Sequence, residues 1–321
     1  MLLMTGRMLA ERVAVLEEID RPAYMTLDNT QLYITQGASI FIYSLKDYKL
    51  VTKFGKRGEG PREFKIVNTE PLHINVQSKH ILVDSFRKIS FYTKSGDFVS
   101  EHKTEYTLPT YMRPLGEKYA ALDYISTSSE QKKRVLAVNI LDANFKKIRE
   151  ISRAEENYYM LKRGLYDFKV YKDLVFISYP EGKFLIDCFD EKGTLKFSIK
   201  NEKFKRRAVT EEEKQESLER FSRNLGRNYP IDRLKKVFEF AKYWAAVSNF
   251  FIDNDIIYVV NNNRSQGKHL LFLYDISGKF IKEVVLPALA TGKYTIKNGH
   301  LYELFEDEEA EEWQLHVTKI K

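Results

Sequence analysis

The chain has 321 residues, 43 % apolar and 30 % charged, with 52 Lys and Arg against 45 Asp and Glu for a net charge of +7. That balance excludes disordered, collagenous and membrane-embedded classes, and a lone cysteine, Cys188, excludes an internal disulfide or a multi-thiolate metal centre. Twenty Tyr and 21 Phe favour half-buried pleated strands over a helical bundle.

Residues 1–10 (MLLMTGRMLA) hold no charged leader ahead of an apolar run, so no secretory signal is expected in this chain. Residues 11–19 (ERVAVLEEI) read as a spare strand. A unit then repeats: an apolar strand ending in an aromatic residue or Leu, a polar turn that often carries Asp and Gly, and a further strand. Its anchors are Tyr43, Tyr92, Leu141, Phe189 and Tyr274, spaced 49, 49, 48 and 85 residues apart, the last gap being one period plus an insertion. In the second unit, strands are expected at 72–76, 80–84, 88–93 and 97–103. Four antiparallel strands in each 40–50-residue period describe a propeller blade. Turn sequences such as Asp275-Ile-Ser-Gly278 and the β-branched run at 256–260 reject paired-helix repeats.

Between the fourth and fifth units the strand rhythm breaks. Over 201–243 the chain carries 12 Lys and Arg against 8 Asp and Glu, and two helices can be placed. Thr210 and Glu213 form a capping box for the first. Pro230 opens the second, with Ile231, Leu234, Val237, Phe238 and Ala241 on one face. The window 243–260 is the most apolar, yet Ser248, Asn249, Asp253, Asn254 and Asp255 interrupt it, so no membrane span is expected. The final unit has strands at 294–297, 301–305 and 313–320 and lacks a fourth. The N-terminal strand at 11–19 is expected to supply it, closing the ring and removing an exposed edge. The expected fold is all-β: one six-bladed domain over 1–321, closed by its N-terminal strand in the last blade, with an αα-hairpin (201–243) between blades four and five.

The segment 54–64 (FGKRGEGPREF) resembles the Gly-rich signature of bacterial six-bladed β-propellers of the TolB-like and NHL-like kind, with Arg62 where that signature has glycine. The resemblance implies the fold and no fixed activity. It implies a periplasmic or cell-surface location if the true start lies upstream, and a cytoplasmic one otherwise. Two readings of the loop compete, an anion cradle of converging N–H groups and a structural crossover with glycines at positive φ. Its spacing matches no phosphate-binding motif, which favours the crossover.

Enzyme signatures are thin. The six histidines form no H-x-H or H-E-x-x-H pair, and no G-x-S-x-G elbow occurs. Oxygen donors on inner strands, Glu70, Asp123, Asp167 and Asn249, keep open an alternative: a metal-dependent hydrolase or lyase resembling the six-bladed calcium lactonases. No catalytic residue, metal ligand or cofactor is assigned. The preferred reading is a non-catalytic binding or scaffold propeller for a protein, peptide or glycan, acting as a monomer. Loops leading into inner strands pair aromatics with arginines, as recognition surfaces do. The candidate ligand-binding residues are Arg57, Arg62, Tyr111, Arg113, Tyr159, Arg163, Arg207 and Trp244. The acidic run 306–312 on the same face argues against nucleic acid.

Overall fold

This computed structural model describes residues 10–66, 72–106, 110–125, 133–157, 160–161, 166–179, 183–202, 204–224, 229–261, 269–286 and 293–320. Six four-stranded antiparallel sheets form the blades of a propeller. The chain begins with β1 (Glu11–Val15). Blade one follows as β2 (Tyr24–Leu27), β3 (Gln31–Gln36), β4 (Ser39–Ser44) and β5 (Leu50–Phe54). Blade two is β6 (His73–Val76), β7 (His80–Ser85), β8 (Lys88–Thr93) and β9 (Phe98–Lys103), and blade three β10 (Arg113–Leu115), β11 (Lys118–Ile125), β12 (Lys133–Leu141) and β13 (Lys147–Asn157). A short β14 (Met160–Leu161) precedes blade four, made of β15 (Asp167–Tyr171), β16 (Leu174–Ser178), β17 (Leu185–Asp190) and β18 (Leu195–Lys200). Helices α1 (Glu211–Asn224) and α2 (Ile231–Val237) and the short β19 (Glu239–Phe240) come next. Blade five is β20 (Asn249–Asp253), β21 (Ile256–Asn261), β22 (His269–Asp275) and β23 (Phe280–Leu286). Blade six has β24 (Tyr294–Lys297), β25 (His300–Asp307) and β26 (Glu312–Lys319), and β1 pairs with β26 as its outer strand.

The repeat has a specific physical origin. The ladder between third and outer strands slips by one residue next to each of Tyr43, Tyr92, Leu141, Phe189 and Tyr274. The turn that follows places Tyr48, Gly96, Phe145, Gly193 or Gly278 at positive φ. This is a hairpin closed through a left-handed residue and a bulge. In blades three, four and five the aspartate after the anchor caps the turn. Asp142, Asp190 and Asp275 each accept two backbone N–H bonds at 2.8–3.0 Å.

Apolar residues on both faces of the blades are buried between neighbours. Ile34 and Phe41 of blade one meet Leu304 and Leu315 of blade six, whereas Tyr33 and Ile42 meet Ile74 and Val83 of blade two. Six such clusters, one between each pair of neighbours, make the core a ring. Each buried Leu, Ile or Phe contributes about 1.5–3 kcal/mol.

The insertion departs from expectation in one respect. The capping box forms, Glu213 N–H donating to Thr210 Oγ1 at 3.2 Å and Thr210 N–H to the Glu213 carboxylate at 3.0 Å. The second helix, however, stops at Val237, and Phe238 is extended with φ −96° and ψ 134°. Residues 239–240 leave the helical path to pair in parallel with β14, and Phe238 packs edge-on to Phe221 at 4.8 Å. Tertiary pairing thus overrides the periodic pattern through Ala241. The two ends of the insertion meet at its neck, where Val209 N–H donates to the Lys242 carbonyl at 3.1 Å and Trp244 N–H to that of Arg207 at 2.9 Å.

Candidate functional site

The six inner strands surround a central cavity of about 410 Å³. It is lined by the first residue of every inner strand: Tyr24, His73, Arg113, Asp167, Asn249 and Tyr294. These lie at the face where inter-blade loops lead in. At the opposite end Lys297 Nζ donates to Asp253 at 2.6 Å, and Asn298 N–H binds the other oxygen at 2.6 Å.

A buried carboxylate organises the near mouth. Asp84, opposite His73 in the ladder, accepts the N–H and hydroxyl of Thr110 at 2.7 and 2.8 Å. Burial raises the Asp84 carboxyl to about 6 despite these bonds and those from the backbone of Met112 and Tyr111. Convergence of the 110–112 backbone on Asp84 accompanies the left-handed conformation of Tyr111, φ +51°. A tyrosine held there is a strained residue at a cavity wall. Its ring lies 4.0 Å from that of His73, which is also 5.7 Å from Tyr24.

His73 is only 8 % exposed, and its Nε2 finds no hydrogen-bond partner among the described residues. Burial, then the charges of Arg113 and Lys169, lower its pKa to about 3 against the opposing pull of Asp167, so the ring is neutral. The Arg113 guanidinium sits 5.6 Å from the centroid of Phe168, and its buried Nε lacks a hydrogen-bond partner among the described residues. Lys169 Nζ donates to Asp167 at 2.5 Å. Burial first, and Arg113 after it, depress the Lys169 ammonium, with Asp167 opposing. The mouth thus sets an aromatic wall beside Arg113 and the largely buried Lys169–Asp167 pair.

The candidates read from sequence divide. Tyr111 and Arg113 come together here. Arg57 and Arg62 are exposed on the Gly-rich loop, where Arg62 stacks 4.7 Å over Phe98 of the outer strand β9. Arg207 and Trp244 share one partner at the base of α1. The Glu213 carboxylate accepts Arg207 at 2.7 Å and the Trp244 indole N–H at 3.0 Å. Burial raises that carboxyl, but the bonds from Arg207, Thr210 and Trp244 outweigh it and hold it at about 2. Tyr159 and Arg163 lie outside the described residues. His73 and Lys169 escaped the loop-based search because they sit inside inner strands. Aligning the repeats on first inner-strand positions would have found His73 and pointed to Lys169 two residues after Asp167.

The Gly-rich loop holds its own anion and cation. Glu63 accepts Gly60 N–H at 2.9 Å and pairs with Lys56 at 2.9 Å. A Cβ on Gly58 would stand 2.0 Å from the Glu63 carboxylate. Buried Lys88 donates to the carbonyls of Gly60 and Glu63 at 3.0 and 2.7 Å and pairs with Glu101 at 3.1 Å. The geometry is that of a pinned crossover.

Of the oxygen donors expected on inner strands, Asp167 and Asn249 line the cavity and Glu70 lies outside the described residues, whereas Asp123 falls on β11, the second strand of blade three, away from the cavity lining, where it accepts the Asn139 amide at 3.2 Å. Among the described residues no three His, Cys, Asp or Glu converge as a metal-ligating group. Cys188 is buried in the core between blades four and five, which pushes its thiol up to about 12. No helix among the described residues is long and apolar enough to cross a membrane.

No family model matches the chain, and a search of curated proteins finds no relative. Solved structures are similar in fold. A member of the DUF4221 family from Bacteroides vulgatus matches with a TM-score of 0.54 at 12 % identity, over 98 % of this chain and 97 % of that one. The chain is a six-bladed β-propeller. The Neurospora crassa Pan2 WD40 domain gives a TM-score of 0.45 at 10 % identity over 94 % and 90 %. A luciferin-regenerating enzyme gives 0.44 at 11 % over 97 % and 95 %.

Proposed function

We propose that this propeller is a non-catalytic binding protein of the TolB-like and NHL-like kind that seats a protein, peptide or glycan ligand over the near mouth of its channel. The observation that carries the reading is the His73–Tyr111–Arg113 cluster. It joins rigid aromatic surface to hydrogen-bonding atoms that have no partner among the described residues. Buried polar groups are ordinarily satisfied, so open ones at a cavity wall mark a place where a ligand completes the network. Tyr111 supplies contact area at small entropic cost, as aromatic anchors do.

The test is enrichment of a random peptide library and a glycan microarray on the full chain, with Tyr111→Ala as the control surface. Ligands held by the parent and lost on the variant, at equal melting temperature, are expected. Absence of any such ligand sinks the reading. Turnover in a lactone-hydrolysis screen, or tight calcium uptake by calorimetry, would move the assignment to a metal-dependent hydrolase or lyase.

A further inference from the structure

We infer that the channel mouth is built for a carboxylate: the ligand inserts one ionised carboxyl group between the Arg113 guanidinium and Nε2 of His73. The inference rests on the binding function proposed above and names the chemistry of the group that is bound.

The distribution of charge carries it. Four cations line the cavity, and three have described company. Lys169 is paired with Asp167, Lys297 with Asp253, and Lys293 lies 4.7 Å over the ring of Trp313. Arg113 has no carboxylate partner among the described residues, and its contact is the ring of Phe168. The nearby acids are committed. Asp167 binds Lys169 and the Phe168 N–H at 2.8 Å, and Asp84 binds Thr110. Arginine presents a planar fork that matches the two oxygens of a carboxylate.

His73 fits the same group. Its ring is neutral, so one nitrogen carries a proton, and an anion at Nε2 selects the tautomer that donates from that atom. A neutral donor beside one guanidinium that has no carboxylate partner among the described residues suits a single negative charge. A phosphate monoester brings nearly two, and Asp84 and Asp167 line the same cavity. Tyr24 and Tyr111 on either side of His73 would then hold the ligand's carbon skeleton. A peptide carboxylate and a uronic acid share this chemistry.

The test titrates the full chain with N-acetylglycine and glucuronate against N-acetylglycinamide, glucuronamide and inorganic phosphate, at constant ionic strength, reading melting temperature and calorimetric affinity. At least one acid should raise the melting temperature, with its amide bound about tenfold or more weakly. The acid that binds tells peptide from glycan. Arg113→Lys, which keeps the charge and loses the fork, should weaken the acid about tenfold, and His73→Phe should weaken it too while the circular dichroism spectrum is kept. Equal binding of acids and amides, preference for phosphate, no binding of either acid, or undiminished binding by both variants would overturn the inference. If one variant fails to fold, the other decides. Library ligands lost in Tyr111→Ala but indifferent to Arg113→Lys would leave the binding function standing and remove the carboxylate. Acid binding by a chain that enriches no library ligand would do the reverse.

Discussion

The indole N–H of Trp313 donates to the carbonyl of Asp20 at 2.6 Å, across 293 residues of sequence. Leu16 N–H donates in turn to the Trp313 carbonyl at 2.7 Å, so β1 and the segment after it are fastened to β26.

Removal of residues 1–19 is therefore expected to lower the melting temperature sharply and to cause association. It strips the partner from β26 and takes Leu16 and Ile19 from the core between blades six and one. Those two side chains alone contribute about 3–6 kcal/mol. Calorimetry and size-exclusion chromatography read the result, and a truncated chain as stable and monomeric as its parent would refute the closure argument.

The helical insertion should be separable from the ring. Its neck pairing at 207–209 and 242–244 brings its ends together, so residues 211–236 can give way to a short Gly/Ser linker at small closure cost. The β-rich circular dichroism should persist while ligand affinity or partner choice changes. Failure to fold would make the hairpin part of the core, and an unchanged ligand profile would leave it a spacer.

Lys88→Met tests the crossover. The change leaves the carbonyls of Gly60 and Glu63 and the carboxylate of Glu101 without their cation. A loss of about 2–3 kcal/mol in denaturant unfolding is expected. A variant within 0.5 kcal/mol of the parent, roughly the scatter of surface substitutions, would show that the loop does not need its pin.

Asp84 gives a pH signature. Its carboxyl goes from an ordinary 3.8 to about 6 on folding, so between those values the folded chain binds more protons than the unfolded one. Stability from this group is greatest below pH 4, falls as pH rises towards 6 and is level above, a span of about 3 kcal/mol. Asp84→Asn keeps an acceptor for Thr110 and removes the titration. The difference in unfolding free energy between parent and variant should therefore drift in the variant's favour from pH 4 to 7, and a constant difference would contradict the assignment.

The blades were legible because the third strands of the first five end in the same device. An apolar anchor beside a bulge and a left-handed turn residue is a local pattern, so Tyr92 with Gly96 and Tyr274 with Gly278 recur at a fixed offset. Strands β8 and β24 coincide with their expected bounds. The end of α2 was not legible, since β19 leaves the helix to meet β14, a partner nearly eighty residues earlier. The channel mouth was half legible. Tyr111 and Arg113 stand out as a loop pair, whereas His73 and Lys169 owe their character to burial and to charges from other blades.

The pairing of β1 with β26 also sets a timetable. Hairpins within a blade form between near neighbours, but the sixth sheet must bring together strands from opposite ends of the chain before any contact energy is returned, which makes it a late and slow event. During synthesis β1 waits without a partner until β26 has left the ribosome, an interval in which a bare strand edge is open to other chains. A circular permutant cut between blades three and four, with the native ends joined, would turn that distant pairing into a local hairpin and shorten the wait.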